Sequence, residues 1–129
     1  MSIPVPLAEL AQTIERYSLV YLLTVGDGER VHAVAASASV DGDRLRVPSL
    51  GRRSLANAAA RRAVTLLWPP TDGDGYSLIV DGEAEAADDG VLVSPSRAVL
   101  HRSAASPEVG ASDAGACVSD CVEVPLTAG

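Results

Sequence analysis

Three short clusters, Gly26-Asp27-Gly28, Asp41-Gly42-Asp43 and Asp88-Asp89-Gly90, cut the middle of the chain into apolar runs of strand length. Glycine and aspartate supply the tight backbone turns that join antiparallel neighbours, so each cluster with its flanks reads as a hairpin. Residues 18–25 are apolar and partly β-branched, and 30–40 return as a second strand. Residues 44–47 alternate Arg, Leu, Arg, Val, the pattern of a strand with one wet face. Further strands are predicted over 63–68, stopped by Pro69-Pro70, and over 76–86, where Gly82 marks a bulge or a close contact. After the turn at 88–90 come 91–94, and then weaker strand signals at 98–102 and 117–124. Residues 103–115 read as a mobile loop.

Two segments break this pattern. Leu7, Leu10, Ala11 and Ile14 recur at helical spacing, which predicts a short amphipathic helix over about residues 6–16. The Ala-rich residues 55–62 suit a second helix of about two turns. There is no repeat and no linker, so the 129 residues form one domain. Five or six strands at hairpin spacing favour a barrel or sandwich, because closure removes exposed sheet edges.

Charge and hydropathy exclude two classes. A formal charge of −7, with arginine supplying all ten cations, argues against nucleic acid, whose phosphates demand surplus cations. No window approaches the roughly 18 apolar residues of a membrane-spanning helix. No basic stretch precedes an apolar one at the N-terminus, which predicts a cytoplasmic address. A mean hydropathy of +0.19 in so acidic a chain suggests an apolar face covered by a second subunit. Cys117 and Cys121 would lie about 13 Å apart along a strand, too far to bridge. Two ordinary thiols are expected, with a bridge or a metal as the alternative.

Residues 49–57 hold the most informative chemistry. Arg52 and Arg53 fall where the second helix should begin, and the helix dipole disfavours cations there by ~0.3–1 kcal/mol. Free backbone N–H groups, Gly51, the Ser49 and Ser54 hydroxyls and two guanidinium groups together suit a phosphate. The alternative leaves both arginines extended into water, with Ser54 capping the helix. Arg61 and Arg62 sit at the other helix end, where cations belong. Asp72 and Asp74 suggest a calcium loop only superficially, since Ser77 occupies the place of the turn glycine. No nucleophile motif surrounds His32 or His101.

Three stretches carry a resemblance. They are Val47-Pro48-Ser49-Leu50-Gly51-Arg52-Arg53-Ser54 with Asn57 beyond it, Val64-Thr65-Leu66-Leu67-Trp68-Pro69, and Leu78-Ile79-Val80-Asp81-Gly82-Glu83-Ala84. In this order they resemble the pyridoxamine 5′-phosphate oxidase-related, FMN-binding split-barrel family. Ala98-Val99-Leu100-His101-Arg102 and the late Asp120-Cys121-Val122 look like a small actinobacterial-type branch of it. The resemblance implies a mainly β fold, a six-stranded antiparallel split barrel with two short helices. It also implies a homodimer with a flavin in each of two grooves between the subunits.

In such proteins the loop before the small helix holds the flavin phosphate, typically with a Ser-Arg-Lys triplet. The corresponding places here are Arg52, Arg53 and Ser54. The second strand of typical members adds an Arg and a Lys, whereas residues 33–39 here carry only small side chains. The expectation is a flavin-nucleotide-binding oxidoreductase or redox protein acting on a small molecule, with FMN or a deazaflavin held by Ser49, Gly51, Arg52, Arg53, Ser54, Asn57 and Trp68. Trp68 has two readings, stacking near the flavin edge or filling the core or a dimer contact. The alternatives are a split barrel that has lost its cofactor and serves as a binding module, and a haem-binding protein using His32 or His101. A flavin enzyme needs no acid–base constellation, since the ring carries the redox chemistry.

Overall fold

The computed structural model describes residues 1–71 and 75–103. Eight strands form one antiparallel sheet: β1 (Ser2–Pro4), β2 (Val20–Val25), β3 (Val31–Ala36), β4 (Ser39–Asp41), β5 (Arg44–Val47), β6 (Ala63–Trp68), β7 (Ser77–Ala87) and β8 (Gly90–His101). Helix α1 (Leu10–Ile14) follows a 3-10 turn at Leu7–Glu9, and α2 (Arg52–Ala60) connects β5 to β6. None of the described helices is long and apolar enough to cross a membrane.

The sheet runs β3-β2-β6-β7-β8-β5-β4. Its two end strands, β3 and β4, are consecutive in sequence and separated only by Ser37 and Ala38. Laid flat, seven strands would put those ends about 29 Å apart, whereas three Cα–Cα steps reach about 11 Å at most. The sheet is therefore rolled into a barrel. Strand β8 is its hub. Along one edge it pairs with β7, and along the other with β5 at Val91–Val93 and with β1 at Val99–His101.

Alternation on the strands fills the barrel. Along β2, Val20, Leu22 and Thr24 are buried while Tyr21, Leu23 and Val25 are partly exposed on the outer face. The same period buries Val64, Leu66 and Trp68 on β6, Leu78, Val80 and Ala84 on β7, and Leu45 and Val47 on β5. Ala58 of α2, with Val5 and Leu10 from the N-terminal segment, completes the core. The Tyr17 hydroxyl donates to the Tyr76 carbonyl at 2.8 Å, and burial pushes the Tyr17 phenol above its usual pKa, against an opposing pull from Arg16.

The expected fold class holds, with corrections in detail. Eight strands replace six, because Ser2–Pro4 adds an edge to β8 and the 30–40 run breaks at Ser37-Ala38 into β3 and β4. The 91–94 strand and the weaker signal at 98–102 are one strand, β8. Pro95 does not interrupt it, since it lies opposite Gly82 at a register shift, where a residue without an N–H to donate is tolerated. Ser96 is the extra residue, and its hydroxyl donates to the Asp81 carbonyl at 3.1 Å. The first helix is shorter than expected. Cys117, Cys121, Asp72, Asp74, the 117–124 strand and nearly all of the 103–115 loop lie outside the described residues.

Candidate functional site

Helix α2 begins three residues before the Ala-rich run. Gly51, extended at φ −76° and ψ 173°, is its N-cap, so Arg52 and Arg53 occupy the first two helical positions. Ser54 is thus not the cap, as one sequence reading had it, but a third-position residue, 2 % exposed. No side chain caps the helix and no acidic residue lies in its first turn. The local cost of placing two cations there is uncompensated by the protein itself.

The ion-pair pattern separates these arginines from most of the others. Arg44 pairs with Glu85, Arg46 with Asp41 and Asp88, Arg61 with Asp27, Arg62 with Glu83 and Arg97 with Asp81. Arg102 lies over the Tyr76 ring, 4.6 Å from its centroid. Among the described residues, Arg16, Arg30, Arg52 and Arg53 have no carboxylate within ion-pair distance.

Two of these four, Arg30 and Arg53, meet. A cavity of about 490 Å³ opens between α2 and the turn that joins β2 to β3, lined by Gly26, Asp27, Arg30, Val31, His32, Arg53 and Asn57. Two tethers set its shape. Asn57 Nδ2 donates to the buried Thr24 hydroxyl at 3.1 Å, and Arg61 reaches Asp27 at 3.6 Å. The turn passes so close to α2 that a Cβ on Gly26 would sit 3.0 Å from Asn57 Oδ1, which is why glycine stands there. Asn57 is therefore both a tether and part of the wall.

The other expected site residues separate from this cavity. Ser49 adopts the left-handed region at φ 59°, and its hydroxyl donates to Asp89 at 3.4 Å while Leu50 N–H donates to the Asp89 carbonyl. It latches the loop to the β7–β8 turn. Trp68 is 3 % exposed in the core and pairs with Leu78. Because β2 and β6 are antiparallel with Tyr21 beside Leu67, it lies at the opposite end of the pair from the cavity, about 16 Å along the strand. The core reading of Trp68 is the one observed. His32 lines the cavity. His101 instead bonds Ser2 at 3.1 Å on the β1–β8 edge.

Sequence reasoning missed Arg30. The absence of cations was judged over residues 33–39, and the cation stands three residues earlier, where the hairpin turn delivers it to the α2 side. The signal was available: β2–β3 register places Val31 beside Val25, so a residue just before Val31 must leave the sheet at the helix end.

Comparison with known proteins fits this architecture. No family model matches the chain. Two mycobacterial proteins, the uncharacterized Mb0449c of Mycobacterium bovis and MT0457 of Mycobacterium tuberculosis, are each 45 % identical over 92 % of this chain and 93 % of their own. Among solved structures, a candidate pyridoxamine 5′-phosphate oxidase from Listeria innocua superposes with a TM-score of 0.59 at 14 % identity, covering 75 % of this chain and 98 % of that one. The chain belongs to one family with these two uncharacterized mycobacterial proteins, and it shares the split-barrel fold of the solved structure. Two more split-barrel neighbours share the fold. An FAD-binding protein from Mycobacterium smegmatis has a TM-score of 0.60 at 19 % identity, covering 79 % of this chain and all of that one. An F420 reductase has a TM-score of 0.57 at 20 % identity, covering 70 % and 94 %. The haem reading receives no support from these split-barrel proteins.

Proposed function

We propose that the protein binds a flavin nucleotide, FMN or a deazaflavin, and works as a cytoplasmic, homodimeric flavin-dependent oxidoreductase or redox protein on a small molecule. One observation carries the reading: Arg30 and Arg53, delivered by separate elements, line a single cavity without a carboxylate partner for either. A phosphate seated there would take charge-assisted hydrogen bonds from both guanidinium groups and from the opening turn of α2. The residues present fit that group. Asn57 fixes the helix against the turn, and Asp27, the one carboxylate in the lining, faces Arg61 at 3.6 Å. When bound, the flavin ring supplies the electron transfer. The names of the solved split-barrel neighbours, which refer to FAD and F420, support a flavin over other phosphate-bearing ligands.

Titration with FMN and with a deazaflavin, followed by fluorescence quenching, tests the proposal. Saturable binding of one of them is expected, and none by either would remove the flavin reading. Arg53→Ala should weaken that binding about tenfold, the expected loss for one charge-assisted hydrogen bond. Unchanged affinity would place the phosphate elsewhere.

The homodimer draws support from the outer sheet face. Val31 is 64 % exposed there, and the partly exposed Tyr21 and Leu23 of β2, Leu67 of β6 and Ile79 of β7 lie on the same face. Sedimentation should return twice the 13.2 kDa chain mass, and a monomeric species at micromolar concentration would count against it. The cation-free stretch 33–39 favours a second reading, a barrel that binds a partner molecule without a flavin. The same titrations distinguish the two.

A further inference from the structure

A second cavity, of about 420 Å³, adjoins the cationic one. Val31 lines both, and Val25 of the second is followed directly by Gly26 of the first. The two are opposite in character. The first presents Arg30 and Arg53. The second has an apolar wall of Leu23, Val25 and Val31 and, on β7, the carboxylates of Asp81 and Glu83.

Asp81 is held in place for an acceptor's role. Its Oδ1 takes the Thr65 hydroxyl at 2.8 Å, and its Oδ2 is 3.5 Å from Arg97, while the side chain remains 42 % exposed. Each carboxylate oxygen has further lone-pair capacity toward the cavity. Glu83 is 65 % exposed, and Arg62 approaches it only to 3.9 Å. Arg97 and Arg62 offset part of this charge but do not line the cavity, so the carboxylate edges are its only charged lining groups, opposite the apolar wall.

We infer that this acidic half of the groove selects the substrate: a small molecule with a ring or chain that packs on Leu23, Val25 and Val31 and a cationic amine that docks on Asp81. Anionic groups are disfavoured beside the same carboxylates. The inference rests on the flavin reading only in taking the neighbouring cationic cavity for the cofactor phosphate. Its own residues are not shared with that cavity, except Val31. Asp81 is the specificity-determining group, and Glu83 adds to the negative field at the rim.

Amide-resolved NMR titration of the whole chain with benzylamine and, separately, with benzoate tests this. Benzylamine should move the signals of Leu23, Val31 and Thr65 and bind at least about tenfold more tightly than benzoate. Asp81→Asn keeps an oxygen for the Thr65 hydroxyl and should cut benzylamine affinity about fivefold to tenfold. Glu83→Gln, at an exposed position, should lower it about twofold and serves where Asp81→Asn alters the fold. Equal affinity for the two probes, or a wild-type response mapping away from these residues, would overturn the inference. FMN titration of the same samples separates the two readings. Loss of flavin binding with the amine preference intact sinks only the flavin proposal, and the reverse sinks only the substrate class.

Discussion

Gly90→Ala should cost the fold about 3 kcal/mol, the upper range for forcing an extra carbon into packed structure. A Cβ at that position would overlap the Val47 carbonyl oxygen and lie 2.7 Å from Pro48 Cα. Both neighbours are backbone, so no side chain can rotate away, and the strain must move β5 or the start of β8. At this chain length the loss corresponds to a fall in Tm of roughly 15 °C. Gly42→Ala is the control. Gly42 has φ +66° but open space around its missing side chain, so only backbone strain of about 1 kcal/mol applies there. Thermal unfolding followed by circular dichroism compares the two, and a Gly90 variant no weaker than the Gly42 variant would refute the packing argument. The damage would reach the site as well, because Val47 and Pro48 lead directly into the loop that sets α2.

The double substitution Arg30→Ala with Arg53→Ala should weaken FMN binding about a hundredfold. Each guanidinium contributes about tenfold to holding a phosphate, and the two act from separate elements, so their losses should nearly add. Among the described residues neither side chain has a partner to leave stranded, so the variant should fold with unchanged thermal stability. Riboflavin, which lacks the phosphate, should bind wild type and double variant alike. Raising the salt concentration should erode FMN affinity in wild type and much less in the variant, since exposed charges are screened. If riboflavin loses as much as FMN, the arginines act on something other than the phosphate.

The sequence was a good guide wherever one local rule decided the outcome. The alternation in 44–47 and the stop at Pro69-Pro70 mark strands that appear with the expected bounds, β5 and β6. Turn chemistry at Gly26, Gly42 and Gly90 located three hairpins. Where distant partners decide, local reading fell short. Ser2–Pro4 looks irregular because three residues carry too little pattern, and only its pairing to β8 makes it a strand. Pro95 reads as a strand end until Gly82 is placed opposite it.

The candidate site was half legible. Two adjacent arginines at a helix start stand out against the dipole rule, and Arg53 and Asn57 do line the cavity. Ser49 and Trp68 were chosen by chemical type, but Asp89 claims the hydroxyl of one and the core claims the ring of the other. Arg30 looked like the opening residue of a strand. Only the hairpin register shows that it projects beyond the sheet.

Because β8 partners β7, β5 and β1 at once, the barrel cannot close until it is in place. During synthesis the first strand has no neighbour until residues 99–101 have left the ribosome, and β5 waits for residues 91–93. The β2–β3 and β4–β5 hairpins can form earlier, but barrel closure, which joins residues far apart in the chain, should come late and be slow.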